Sequence, residues 1–107
     1  MIVVTTDGVP GREIAESLGL VRGNAVRARA IGRDIMAMVR MLVGGEIPEY
    51  TKMLAETREQ ALDRMIEEAR EQDADAIVGL RFITAQTMAG AAEFLAYGTA
   101  VRLGRQR

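Results

Sequence analysis

The chain of 107 residues contains no cysteine, no histidine and no tryptophan. Without cysteine it can form no disulfide bond, no thiolate nucleophile and no metal site of the cysteine type. Without histidine it lacks the side chain that titrates most readily near neutral pH and the commonest imidazole metal ligand. Catalysis by a serine that histidine activates is excluded for the same reason.

Aromatic side chains and long apolar runs are also scarce. Two tyrosines and two phenylalanines make up the whole aromatic content, so the core must be mainly aliphatic. No stretch approaches the run of about 18 apolar residues that predicts a membrane-spanning helix, and the N-terminus lacks the basic region of a signal peptide. We therefore expect a cytoplasmic protein without a membrane partner.

The overall charge is close to neutral, with 14 basic residues, 15 acidic residues and a net charge of −1. This balance indicates no nucleic-acid partner. The acidic residues are concentrated in residues 46–75, which carry ten acidic and four basic side chains. This acidic region can face solvent, or it can meet the mildly basic remainder of a neighbouring subunit.

The length and the residue pattern predict one domain, residues 1–107, with the element order β-α-β-α-α-β-β. Ile14 and Leu18 are one helical turn apart and Gly19 follows them, which predicts a short first helix. A small aliphatic core supplies little net stability, so oligomerisation is expected as well. The predicted elements are strand 2–5, helix 11–18, strand 20–31, helices 33–43 and 49–72, and strands 76–83 and 93–103.

The last three elements give the fold class. The long helix follows Gly44-Gly45 and has Pro48 in its first turn, and its apolar residues recur every three or four positions. The two strands after it alternate apolar and polar residues, which predicts a β-hairpin whose loop contains Gly90. The fold class is therefore α+β, with a small antiparallel sheet packed on a long helix.

Four residues are candidates for packing and for a subunit interface. Leu54 and Ala61 lie on the apolar face of the long helix. Tyr50, on the same face, and Tyr97, in the last strand, are the two phenols, and tyrosine is enriched at interfaces where one end of the side chain stays wet. We expect these residues to contribute to packing and assembly.

Three carboxylates that flank the long helix are candidate metal ligands: Glu46, Asp73 and Asp75. Their oxygens suit a divalent cation, and no thiolate or imidazole is present to assist them. Asp73 and Asp75 lack the glycine turn and the distal glutamate of an EF-hand, and aspartate is common where a helix passes into a strand. A symmetric oligomer can nevertheless build a site from one carboxylate per chain. Whether any cofactor binds is unknown.

No catalytic constellation is apparent, so we expect a protein that is not an enzyme. A catalytic role would require Arg58, Glu59, Arg81 and Tyr50 to line a pocket between subunits. The sequence gives this hypothesis little support.

Several segments together resemble the YbjQ-like family of small bacterial and archaeal proteins, which carries the label of a heavy-metal-binding domain. They are "VGGEIPEYTKMLAETREQAL" from Val43, "DADAIVGLRF" from Asp73 and "AYGTAV" from Ala96, with "LGLVRGNAV" from Leu18. The resemblance implies a dodecin-like α+β subunit that assembles into a ring, with a homopentamer favoured. We therefore expect a ring-forming protein that acts as a structural or binding assembly. The alternative is a metal- or small-ligand-binding module with carboxylate ligands at subunit interfaces.

Overall fold

The structure, a computed structural model, describes residues 1–27, 48–86 and 92–106. Four strands form one mixed sheet in the order β1-β3-β4-β2, and a helix packs on it. The α+β prediction is confirmed. The elements are β1 (Ile2–Val3), β2 (Arg12–Arg27), α1 (Pro48–Glu71), β3 (Ala76–Gln86) and β4 (Ala92–Gln106).

The predicted β-hairpin is confirmed. β3 and β4 are antiparallel, in register from Ala76 opposite Val101 to Gln86 opposite Ala92. The predicted loop around Gly90 lies outside the described residues. β2 lies on the other side of β4 and is also antiparallel to it, whereas β1 is parallel to β3, so the sheet is mixed rather than purely antiparallel.

The short helix predicted for residues 11–18 is wrong, because residues 12–18 belong to β2. Ile14 and Leu18 are four positions apart, and that spacing fits one face of a strand as well as one face of a helix. Gly19, which was expected to end the helix, has a φ of 97° and lies at a register shift between β2 and β4. Pairing with β4 therefore decides the conformation of this segment, as often happens where local propensity is weak.

The other predicted elements before the long helix fall partly outside the described residues. The strand expected at 20–31 is observed as the second half of β2 up to Arg27, and its remainder lies outside. The helix expected at 33–43 lies entirely outside.

Helix α1 confirms the predicted long helix to within one residue at each end. The buried positions Thr57, Ala61, Met65 and Ala69 follow the spacing of one helical face. Thr57 is the polar member of this set, and its hydroxyl donates to the carbonyl oxygen of Met53 at 2.8 Å. The helix covers β2 and β4, where it meets a core cluster that includes Val21, Ala25, Ile77, Phe94 and Ala96.

Gly23 allows β2 to approach the helix closely. A Cβ atom at this position would overlap the carbonyl oxygen of Ala61 and the amide nitrogen of Met65. Both are backbone atoms and cannot rotate away. The spacing between α1 and β2 therefore requires a glycine at this point.

Candidate functional site

The side of the sheet away from α1 is covered at one end only. There Ala76, Val78 and Val101 form a second buried cluster, which Val4 and Val9 of the N-terminal segment cover. Towards the other end, the described residues contain nothing that covers the same face.

We call this uncovered region the open face. In residues 21–26 of β2 and 92–100 of β4, the residues on the helix side are buried and alternate with exposed or half-buried residues on the opposite side. Leu20 is 59% exposed, Val26 is 57% exposed and Ile83 is 50% exposed. Three large aliphatic side chains therefore point to solvent from β2 and β3, the two strands that flank β4. The open face consists of Leu20, Arg22, Asn24, Val26, Arg81, Ile83, Glu93, Leu95 and Tyr97.

Polar groups accompany these apolar side chains. Tyr97 lies between Arg22 of β2 and Arg81 of β3 in the strand register. The guanidinium of Arg81 donates to the carbonyl oxygens of Thr5 at 2.9 Å and of its neighbour Leu80 at 2.7 Å. The bond to Thr5 ties this part of β3 to the N-terminal segment.

A further polar pair borders the apolar part of the open face. The side-chain amide of Asn24 donates to the carboxylate of Glu93 at 3.0 Å, from one strand to the next. The open face thus combines exposed apolar surface with polar groups that already bond within the subunit. This composition is typical of a protein interface and not of a catalytic pocket.

The structure assigns Asp73 a role at the end of α1. Its φ is 58°, in the left-handed region, and the amides of Asp73 and Ala74 donate to the carbonyl oxygens of Arg70 and Ala69 at 3.0 and 3.1 Å. These two bonds are a Schellman motif, which ends a helix by satisfying its last carbonyl groups. The side chain of Asp73 is exposed.

Asp75 connects the start of β3 to β4. Its carboxylate accepts a hydrogen bond from the amide of Leu103 at 2.8 Å, and its own amide donates to the carbonyl oxygen of Val101 at 2.9 Å. Glu46, the third predicted ligand, lies outside the described residues. Within residues 1–27, 48–86 and 92–106, no three side chains of Asp, Glu, His or Cys are grouped so that they could hold a metal ion.

The residues predicted to pack or to form an interface lie in different parts of the subunit. Ala61 is fully buried in the core, and Leu54 packs against that core while staying half-buried. Tyr97 is half-buried on the open face. Tyr50 is in α1, and its side chain lies outside what the structure describes. A role for any of them between subunits stays a prediction.

The residues that would line a catalytic pocket are not brought together within one subunit. Arg58 and Glu59 are exposed on the outer side of α1, whereas Arg81 belongs to the opposite face of the sheet. Beside Glu59 there is a shallow depression on the helix surface, lined by Lys52, Glu56 and Asp63 among others. It is open and acidic.

Sequence reasoning missed most of the open face. The sequence predicts strands at 20–31 and 76–83, and it does not predict an apolar surface shared between them. The available signal was the presence of Leu20, Val26 and Ile83 at positions where a solvated strand face would carry polar residues. Alternation along β2 puts Leu20 and Val26 on one face, and only the pairing of β2 and β3 with β4 brings Ile83 to that face.

Comparison with known proteins agrees with this description of the fold. The family model YbjQ_1, described as "Putative heavy-metal-binding", matches residues 1–104. The chain belongs to the YbjQ family. Among its relatives, a UPF0145 protein of Archaeoglobus fulgidus is 61% identical over 103 residues, which span 96% of this chain and 95% of the relative. A UPF0145 protein of Shewanella frigidimarina is 50% identical over 107 residues and all of both chains.

A solved structure extends the likeness to three dimensions. A crystal structure of a protein of unknown function from the DUF74 family of Pediococcus pentosaceus matches with a TM-score of 0.63 at 17% identity. The match covers 97% of this YbjQ-family chain and 98% of the other. At this level of identity the likeness shows the fold alone.

The donor atoms of this YbjQ-family chain fit the family's description poorly. Heavy and soft metal ions prefer thiolate and imidazole, and the chain contains neither cysteine nor histidine. The remaining ligands are carboxylate, carbonyl and thioether groups, and the described residues do not gather carboxylates at one point. A heavy-metal site built within the described part of one subunit is therefore not supported.

The described ranges also contain no helix long and apolar enough to cross a membrane.

Proposed function

We propose that this YbjQ-family protein is a subunit of a closed cytoplasmic homo-oligomer without catalytic activity, a homopentameric ring of dodecin-like subunits being favoured. Its function would reside in the assembled surface as a structural or binding assembly. The observation that carries the proposal is the open face. A small sheet that exposes Leu20 and Val26 of β2 and Ile83 of β3 on one face has the composition of a surface that another chain covers.

The magnitudes show how large the interface must be. Full burial of one aliphatic side chain contributes about 1.5–3 kcal/mol, and each of these three is already about half-buried. Together they contribute about 3 kcal/mol, whereas association costs at least about 4 kcal/mol in lost freedom of motion. A stable oligomer therefore needs contacts beyond these three side chains.

The charges on the open face favour a contact in which the open face of one subunit meets a different surface of the next subunit. If two open faces met about a two-fold axis, Arg22 and Arg81 of both copies would be brought into the same interface. Like charges so placed oppose association. A contact between different surfaces avoids this arrangement, and contacts of that kind generate rings when the rotation closes.

Size-exclusion chromatography with light scattering at micromolar concentration tests the proposal. We expect a single species of about five times the subunit mass of 11.7 kDa. Leu20→Glu and Ile83→Glu should shift this species towards folded monomer, because each places a charge in the interface. Ala55→Glu, on the exposed side of α1, is the control and should leave the mass unchanged. A monomeric unmodified protein would exclude the proposal.

A second candidate function is the binding of a divalent cation or small ligand by carboxylates at subunit interfaces. It is favoured by the family's description and by the exposed position of Asp73 at the end of α1. Isothermal titration with divalent ions and with Cu(I) tests it, with Asp73→Asn as the matched variant. Binding heat that Asp73→Asn abolishes would support the candidate, and no heat and no thermal shift with the unmodified protein would remove it.

A further inference from the structure

Strand β3 has two parts that differ in their surroundings. The N-terminal segment forms backbone hydrogen bonds with the edge of the first part of β3, residues 76–80. The amide of Val4 donates to the carbonyl oxygen of Ile77 at 2.9 Å, and the amides of Gly79 and Leu80 donate to Thr6 and Val4 at 2.8 and 3.1 Å. Ala76, Ile77, Val78 and Leu80 are buried.

The second part, residues 81–86, has a free edge within the part of the chain that the structure describes. Among the described residues its neighbour is β4 alone, so the backbone groups on the other side are not paired with a strand. Residues 81–85 are all exposed, on both faces of the sheet. A register shift between Val78 and Arg81, with Gly79 at a φ of 66°, separates the two parts.

This free edge lacks the features by which soluble proteins prevent strand pairing. Such edges usually carry lysine, proline or inward-pointing charges. Here Phe82 and Ile83 are 40% and 50% exposed, and Thr84 follows them. The one charged residue, Arg81, donates to backbone carbonyl groups of the same subunit. Aromatic and β-branched residues at an unprotected edge favour the addition of another strand.

A ring requires that a different surface of the next copy meets this edge. In the described part of the chain, the other long edge belongs to β2, which pairs with β4 on one side only. Helix α1 lies against the second half of β2. There Gly23 contacts the helix backbone, and Arg64 of the helix donates to the carbonyl oxygen of Asn24.

The first half of β2, residues 12–18, is a better partner for the free edge. Residues 13–17 are all exposed, and Ile14 is 42% exposed. Glu13, Glu16 and Arg12 give this segment a net charge of −1, with Glu16 in an ion pair with Arg102 of its own subunit at 3.9 Å, so the segment does not repel the free edge, whose one charged residue is Arg81. The free edge of β3 also borders the open face, so one neighbouring copy can reach both.

We propose that the free edge of β3, residues 81–86, pairs with residues 12–18 of β2 from a neighbouring copy, so that the sheet continues from subunit to subunit. This inference rests on the proposed assembly. The pairing adds backbone hydrogen bonds to the apolar contacts of the open face, which are too few to hold an oligomer together by themselves. It also gives residues 81–86 of β3 and residues 12–18 of β2 a partner strand on each side.

Cysteine cross-linking tests the pairing directly, since the natural chain has no cysteine to give a background. Thr84→Cys is combined in one chain with Ala15→Cys or with Ser17→Cys, because neighbouring strands bring Cα atoms into the range of about 4.4–6.8 Å that a disulfide needs. All three positions are exposed. Mild oxidation should link successive subunits into a ladder of dimers, trimers and larger species that a reductant removes.

Two controls decide the interpretation. Thr84→Cys combined with Ala55→Cys on α1 should give no ladder, and Thr84→Cys alone should give no dimer. A dimer from Thr84→Cys alone would show that β3 pairs with itself, and would overturn the proposal. A ring by light scattering without any ladder would also overturn it, while the proposed assembly stands. A monomeric natural protein would exclude both.

Discussion

The position of Asp73 yields a prediction about stability that bears on its candidacy as a metal ligand. An aspartate here is unfavourable in two ways. Its φ of 58° is a conformation in which glycine has no steric cost, and its negative charge is close to the carbonyl end of α1. Replacement of Asp73 should therefore stabilise the subunit unless the carboxylate serves another purpose.

The expected gain can be estimated from these two contributions. The left-handed conformation costs a residue with a Cβ atom about 1 kcal/mol. The charge at the helix end costs about 0.5 kcal/mol. Glycine also lowers the free energy of unfolding by about 0.7 kcal/mol, because it makes the unfolded chain more flexible. Asp73→Gly should therefore raise the free energy of unfolding by about 1 kcal/mol. Asp73→Asn should raise it by about 0.5 kcal/mol, because it removes only the charge.

Urea unfolding followed by circular dichroism measures both values. The protein concentration must be the same throughout, because the stability of an oligomer depends on it. In about 1 M salt, where the Debye length falls to about 3 Å, the gain from Asp73→Asn should disappear and part of the gain from Asp73→Gly should remain. If Asp73→Asn instead lowers the stability at both low and high salt, the carboxylate makes an attractive contact and the reasoning is refuted.

Two further predictions use the same unfolding measurement. Gly23→Ala should destabilise the protein by about 3 kcal/mol, because the added methyl group meets helix backbone. Gly8→Ala, where no atom lies within 4 Å of the added Cβ, should change the stability by less than about 0.5 kcal/mol. Equal effects would contradict the close approach. Asp75→Ala should cost about 1 kcal/mol through loss of its bond from Leu103, whereas Asp75→Asn keeps an acceptor and should cost less than about 0.5 kcal/mol. Equal losses would contradict a role for the hydrogen bond.

Much of the subunit could be predicted from its sequence because the relevant signals are local. The spacing of Thr57, Ala61, Met65 and Ala69 marks one face of a helix, whatever that face packs against. The alternation in β3 and β4 likewise predicts a hairpin. The family resemblance and the absence of cysteine and histidine are also properties of the sequence alone.

The candidate metal ligands illustrate where such reasoning stops. Asp73 and Asp75 are two positions apart in the sequence, which suggests a common site. The structure gives them different surroundings, since Asp73 lies in a Schellman motif and Asp75 accepts a bond from Leu103 of β4. The second of these contacts joins residues 28 positions apart, and no local pattern encodes it.

The sequence by itself determined the long helix, the hairpin, the α+β class and the chemistries that the chain cannot perform. Tertiary structure alone decided that residues 12–18 extend β2, because Ile14 and Leu18 satisfy a strand and a helix equally until β4 provides hydrogen bonds. It also decided that Leu20, Val26 and Ile83 share one uncovered face. The reason is physical: Leu20 and Val26 share a face through the alternation of β2, whereas Ile83 comes from β3, and only the pairing of both strands with β4 places it on that face.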